Sequence, residues 1–370
     1  TLLRADELPM VLARAFAIFN SERSGPVHIE IPIDVIQSPA DHLDITPFVL
    51  PSPPGPSTQA IITATDWLKN AKQPLIAIGG GSVRAASEVR ALAEKLGAPV
   101  INTVNAKGVL PYSHPLAVGG SGSCPAVRKA LNSADVVLAV GTEFGETDYD
   151  YFYQGGVEIK GRLIRIDIDS SQLTRNIRSD LSICSDATQA LQALNQSILG
   201  ASADGSGEAR ALEIRKELKA SRQTGYAKFF DAIQSALPGV IIAGDSTQPV
   251  YYAWLHYETE KPRRYFHSAS GFGTLGYAIP AAIGAKLAMP DSPVMGLIGD
   301  GAAQFTIGEM AAAVEAKLPV IFLIWNNNGY GEIKRFMAEG DIPQIGVDIY
   351  TPDFIALGKA FGCHAVIVNN

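Results

Sequence analysis

Short, unbroken apolar runs that end at glycines and alternate with stretches of helical spacing constrain this chain more than any other feature. Residues 75–78 run into Gly79-Gly80-Gly81, residues 136–140 end at Gly141, and residues 294–298 end at Gly299-Asp300-Gly301. Runs of the same kind lie at 99–101, 163–166, 240–242, 320–324 and 365–368. A strand that is apolar on both faces needs cover on both, and intervening helices supply it. The pattern therefore predicts an α/β chain of doubly wound parallel-sheet domains. Helices are expected over 85–96, 275–288, 307–316 and 331–338. In such folds ligands bind beyond the carboxyl ends of the strands, so the strand-end residues are the ones to read for chemistry.

Two stretches punctuate the pattern. Pro51-Ser52-Pro53-Pro54-Gly55-Pro56 cannot enter a helix interior or a central strand. Residues 200–207, all Gly, Ala, Ser and Asp, have the composition of a flexible linker. Three pieces result: 1–50, a central α/β piece at 57–199, and 208–370. The first offers one helix over 6–20 and one strand over 27–31, too little to bury a core alone, and is expected to be the tail of a larger domain. The absence of an initial Met leads to the same expectation, that the chain starts within a longer protein.

Composition removes several function classes. Among 370 residues, 47% are apolar and 18% charged, which describes an ordered globular chain. A net charge of -7 argues against a nucleic-acid or anionic-membrane surface. No apolar run is long enough to span a bilayer. The three cysteines, Cys124, Cys184 and Cys363, show no metal-ligand spacing, and the simplest expectation is a reducing, cytoplasmic compartment.

The chemistry concentrates at two strand ends separated by one β-α-β unit: Gly299-Asp300-Gly301, then Asn326-Asn327-Asn328-Gly329-Tyr330. Asp300 offers a carboxylate, Asn327 an amide oxygen and Gly329 a backbone carbonyl, a set of hard oxygen ligands that suits Mg²⁺ with open positions. The Gly301 and Ala302 amides at a helix start suit an anion, so a Mg²⁺-bridged diphosphate is the natural occupant. Each motif alone is a common turn former; the pairing is what carries weight.

These residues resemble the cofactor signature of thiamine-diphosphate-dependent enzymes of the acetolactate synthase and pyruvate decarboxylase type. The segment from Gly273-Thr274-Leu275-Gly276 to Gly284 and the run Ser24-Gly25-Pro26-Val27-His28-Ile29-Glu30-Ile31-Pro32 resemble other parts of that family. The resemblance implies a truncated pyrimidine-binding domain at 1–50, a central domain at 57–199 and a diphosphate-binding domain at 208–370. It implies that Asp300, Asn327 and the Gly329 carbonyl hold Mg²⁺, that Gly301, Ala302, Thr247 and Gln248 contact the diphosphate, that the Gly273 carbonyl accepts from the pyrimidine amino group, and that Leu275 wedges between the two cofactor rings. It further implies decarboxylation of a 2-oxo acid, a homodimer or homotetramer, and an activating glutamate from the partner's pyrimidine-binding domain. A carboligase of the acetolactate synthase type and a non-catalytic nucleotide-binding relic are the alternatives.

Glu332 starts the helix after Asn327 and would pair with a cationic substrate tail; the chain resembles most the branch acting on 5-guanidino-2-oxopentanoate (2-oxoarginine). Pairing of Glu332 with Lys334 or Arg335 is the structural alternative, and Asp341 and Asp348 are weaker candidates. His267, just before the Gly273 segment, is the histidine expected nearest the chemistry. Gly271-x-Gly273-x-x-Gly276 formally matches a dinucleotide fingerprint, but its lead-in 265–268 reads as a poor strand. Gly79-Gly80-Gly81 is read as a tight βα turn in preference to a nucleotide loop, so FAD is not favoured.

Overall fold

The computed structural model describes residues 1–21, 23–199 and 205–368. It contains two all-parallel sheets. The first has the order β2-β1-β3-β4-β5, with β1 Pro74–Ile78, β2 Val100–Asn102, β3 Val136–Val140, β4 Arg162–Asp167 and β5 Leu181–Cys184. The second has the order β7-β6-β8-β9, with β6 Ile241–Gly244, β7 Tyr265–His267, β8 Val294–Gly299 and β9 Ile321–Trp325.

Every residue of β1, β3, β6 and β8 is buried, as a strand covered on both faces requires. In the first sheet Ile76, Ile78, Leu138, Val140, Ile164 and Ile166 face the helices Thr58–Asn70, Ala86–Leu96 and Ala187–Ser197. The alternate residues Leu75, Ala77, Val137, Ala139 and Leu163 face Pro125–Ser133 and Ser206–Ala220. In the second sheet Ile242, Met295 and Leu297 meet Phe230, Val250 and Tyr252, while Ile298 meets the helix Ala278–Ala288 on the other face.

Both sheets reverse direction once. The chain leaves β1 for β2 on one side and returns to β3 on the other, and it does the same from β6 to β7 and then β8. Such switch points open a crevice at the strands' carboxyl ends. At β1/β3 the crevice is closed by backbone: a Cβ on Gly79 would lie 2.2 Å from the Gly141 carbonyl oxygen, and one on Gly141 2.6 Å from Gly81 Cα. At β6/β8 it stays open.

Several expectations need correction. Residues 27–31 form no strand; among the described residues no strand pairs with them, and the Leu2 N–H donates to the Glu30 carbonyl instead. Residues 365–368 form no strand and enter neither sheet among the described residues. The lead-in to Gly271 is a strand after all, β7, three residues paired at the sheet edge. The helix after Gly276 starts at Ala278, because Gly276 itself takes φ +88. The helix expected to start at Gly301-Ala302 is present as Asp300–Thr306, directly after β8. Of the expected linker, residues 200–204 lie outside the described residues, and Ser206 already begins a helix.

The two sheets are joined by a buried ion pair. Lys107 Nζ donates to Glu258 Oε1 at 2.9 Å and to the Tyr257 carbonyl at 2.7 Å, and Glu258 Oε1 also accepts from the Gly120 N–H at 2.8 Å. Their side chains are 0% and 5% exposed.

Candidate functional site

The open switch point is a cavity of about 380 Å³ lined by Ser246, Thr247 and Gln248 after β6, Gly273 and Leu275 after β7, Gly299 to Ala302 after β8, and Asn327 and Gly329 to Ile333 after β9. Every predicted site residue lines it except His267 and the weaker candidates Asp341 and Asp348.

Its floor is held by Asp245, a fully buried carboxylate that accepts from the N–H groups of Ser246 (3.0 Å), Gly276 (3.1 Å) and Ala278 (3.0 Å). Burial pushes its carboxyl up, and those N–H groups pull it back. Asp245 thereby ties the Gly273–Leu275 turn to the end of β6. Ser246 adds a hydroxyl contact to Ser268 at 2.9 Å and donates to the Gly273 carbonyl at 3.3 Å. Gly273 takes φ +69, a conformation that favours glycine. Leu275 rests half-buried against the cluster of Ala278, Ile279 and Ile298.

Asp300 is 2% exposed at the first position of its helix. Its Oδ2 accepts from the Gly329 N–H at 3.0 Å and the Thr351 hydroxyl at 3.4 Å. One end of the Asn327 amide lies 3.1 Å from Asp300 Oδ1 and 2.7 Å from the Gly329 carbonyl oxygen. With nitrogen there, the amide donates to both. With oxygen there, three oxygens converge without a proton among them, an arrangement that needs a cation. Among the described residues no cluster of three or more His, Cys, Asp or Glu side chains could hold a metal. One carboxylate, one amide and one carbonyl is instead the sparse oxygen set that Mg²⁺ accepts while keeping water or phosphate ligands.

Gly301 and Ala302 lie in the first turn of the helix, where N–H groups lack intrahelical acceptors. A Cβ on Gly301 would come within 2.6 Å of the Tyr330 ring, so glycine is needed for this close approach. Thr247 caps and Gln248 begins the helix Gln248–His256.

Glu332, at the start of the helix Gly331–Glu339, belongs to two cavities. It shares with Gln248 and Tyr251 the border between the 380 Å³ cavity and a larger one of about 790 Å³ between the two sheet domains. Its carboxylate influences the phenols of Tyr226 and Tyr251, both raised mainly by burial. It accepts from Arg335 Nη2 at 2.8 Å, and Arg335 Nη1 reaches Glu339 at 2.7 Å, so the structural pairing foreseen for Glu332 is present. Asp348 pairs with Lys334 at 2.6 Å and Asp341 is exposed; neither lines the described cavities.

His267 does not reach the site. It is 2% exposed between the rings of Trp254 and Tyr265, with both ring nitrogens unpartnered, and burial pulls it down to about 4. Two contributors were missed from sequence. Asp245 reads only as a polar strand end, although the apolar run leading to it is a usable signal. Asp150 lines the larger cavity from the acidic loop after β3, and only the strand-end rule points to it.

Comparison with known proteins bears on this geometry. Residues 61–194 match the family described as "Thiamine pyrophosphate enzyme, central domain", and residues 245–370 match "Thiamine pyrophosphate enzyme, C-terminal TPP binding domain". A Pseudomonas aeruginosa protein named "Probable 2-ketoarginine decarboxylase" is 37% identical over 369 residues, covering 98% of this chain and 65% of its own length. The acetolactate synthase large subunits of Corynebacterium glutamicum and Buchnera aphidicola are each 30% identical, over 390 and 400 residues, with 61% and 67% of their lengths covered. The chain thus spans about two thirds of the length of these relatives.

Proposed function

The chain belongs to the thiamine pyrophosphate enzyme family, and we propose that the whole protein is a thiamine-diphosphate- and Mg²⁺-dependent decarboxylase of a 2-oxo acid with a basic tail, 5-guanidino-2-oxopentanoate foremost. The observation that carries this reading is Glu332, a carboxylate felt by Tyr226 and Tyr251 where the 380 Å³ cavity meets the larger one. The naming of the Pseudomonas relative supports the same substrate.

In this reading Asp300, Asn327 and the Gly329 carbonyl hold Mg²⁺; their converging oxygens fit it. Gly301 and Ala302 N–H groups, Thr247 and Gln248 hold the diphosphate. The Gly273 carbonyl would accept from the pyrimidine amino group, and Leu275 would pack against the bound cofactor. Thiamine diphosphate, when bound, supplies the electron sink for the bond that releases CO2. Glu332 accepts the substrate's guanidinium in place of Arg335, which retains Glu339.

Carboligation is the second reading, favoured by the acetolactate synthase relatives; it predicts a hydroxyketone product in place of an aldehyde. A homodimer or homotetramer located in the cytoplasm completes the proposal. Among the described residues no helix is long and apolar enough to cross a membrane. The test is a panel of 2-oxo acids assayed with full-length protein for CO2, aldehyde and hydroxyketone. 2-Oxoarginine is expected to be preferred, and Glu332→Gln to cut kcat/KM for it by roughly 10-fold or more while sparing apolar substrates. An unchanged preference in that variant removes Glu332 from the substrate site.

A further inference from the structure

We propose that Asp150, on the central domain, is a specificity-determining residue of this site: it receives the guanidinium of the substrate across from Glu332. This rests on the decarboxylase reading above and adds to it a residue from the domain that does not hold the cofactor.

The larger cavity is lined from the central domain by Ser123, Cys124, Asp150 and Gln154, and from the other domain by Tyr226, Tyr251, Glu332 and Arg335 among others. Three carboxylates line it. Glu217 is paired with Lys129 at 3.0 Å, and Glu332 with Arg335 at 2.8 Å. Asp150 Oδ2 meets only the neutral amide of Gln154, at 2.9 Å, and among the described residues Asp150 enters no ion pair. His256 also lines the cavity, but burial and the nearby Arg222 pull it down to about 4, so it brings no positive charge at neutral pH. Of the three carboxylates Asp150 alone has no ion pair among the described residues, with the Arg128 guanidinium spent on the carbonyls of Tyr149, Gly155 and Gly156 around it.

The carboxylate is held in place. Asp150 has φ 52 and ψ 51 between the helices Glu146–Tyr149 and Tyr151–Gln154, its N–H donating to the Glu146 carbonyl and its carbonyl accepting from the Gln154 N–H. Asp tolerates this left-handed conformation better than most residues. Three residues on, Tyr153 stacks on Phe336 of the other domain, with centroids 6.2 Å apart and planes at 11°. Phe336 in turn lies one turn after Glu332. The two carboxylates therefore flank one seam. A guanidinium presents five donors in a planar fork, enough to serve a carboxylate on each side, and tyrosine rings offer it a face. A 2-oxo acid with an uncharged tail covers Asp150 without pairing it, at a cost.

The experiment uses full-length protein with Asp150→Asn, which retains the side-chain shape, and Asp150→Gly, which retains the backbone conformation without the side chain. Steady-state kinetics are compared for 2-oxoarginine and 2-oxohexanoate, and binding of the unreactive 4-guanidinobutanoate is measured by calorimetry. The expected result is a roughly 10- to 100-fold loss of kcat/KM for 2-oxoarginine in both variants, carried by KM, with weakened 4-guanidinobutanoate binding and 2-oxohexanoate turnover retained. An equal loss for both substrates, or no loss for either, overturns the assignment. A shift in preference with Glu332→Gln but none with Asp150→Asn refutes Asp150 alone, whereas wild-type protein that ignores 2-oxoarginine refutes the decarboxylase reading itself.

Discussion

Two buried carboxylates of the site meet the cost of burial in different ways. Asp245 is surrounded by N–H donors, so its charge is satisfied by the chain and its role is to hold the fold. Asp300 takes the Gly329 N–H and the Thr351 hydroxyl on Oδ2, while Oδ1 meets the Asn327 amide, which donates to it with nitrogen turned inward and leaves it without a donor with oxygen there. A carboxylate whose second oxygen depends on the turn of one amide can exchange that contact for a cation. His267 is a third kind of buried group, neutral and unpartnered. Its proton affinity lies near 4 in the folded chain and about 6.5 in an unfolded one. The unfolded chain therefore binds more protons between those values, so the histidine's share of stability is complete above pH 6.5 and drains as pH falls toward 4. Asp148, pushed up to about 6 by burial, contributes a slope of the opposite sign. Relative to wild type, His267→Phe is expected to gain about 3 kcal/mol between pH 7 and pH 4, measured by urea denaturation at both. At this scale the sequence was readable where spacing along one β-α-β unit brings residues together, as with Asp300 and Asn327. It was unreadable for His267, whose position near Gly273 in the chain says nothing about which way its ring points.

Elements tell a similar story about what a strand needs. Residues 27–31 and 365–368 have the composition of strands but no paired strand among the described residues, and composition alone supplies no hydrogen bonds. Tyr265–His267 is short and sits at an edge, yet β6 offers it a partner in register, with Gly244 opposite His267. The central strands were legible because burial on both faces forces an unbroken apolar run. The fate of the two switch points was not, since glycines can either open a crevice or let two backbones touch. At β1/β3 they let backbones touch, and Gly79→Ala is expected to destabilise the protein by about 1–3 kcal/mol, because the new methyl meets the fixed Gly141 carbonyl. Thermal or urea unfolding of the variant reads this directly; an unchanged midpoint would mean the turn has slack.

For the whole molecule, the joint between the domains matters as much as either sheet. Lys107 and Glu258 are both removed from water, and neither has a second ion partner among the described residues. Removing one member strands the other, so Glu258→Ala is expected to cost about 3–5 kcal/mol, with replacement of both by apolar residues much less harmful. Denaturation of the single and double variants measures the difference. Nothing along the chain announces this pair, 151 positions apart, because it depends on which domain faces meet. The same holds for the larger cavity, whose walls come from residues 123–154 and 217–335.

Because that chamber has walls from both domains, its central-domain wall can be exchanged while residues 245–370, Glu332 among them, stay as they are. A chimaera that keeps residues 245–370 and takes its central domain from an acetolactate synthase relative would carry Glu332 on one wall and the donor's loop after β3 on the other, so its choice of substrate tail separates the share of each wall. Diversification of this lineage could then proceed by recombination of modules, with the catalytic half left untouched.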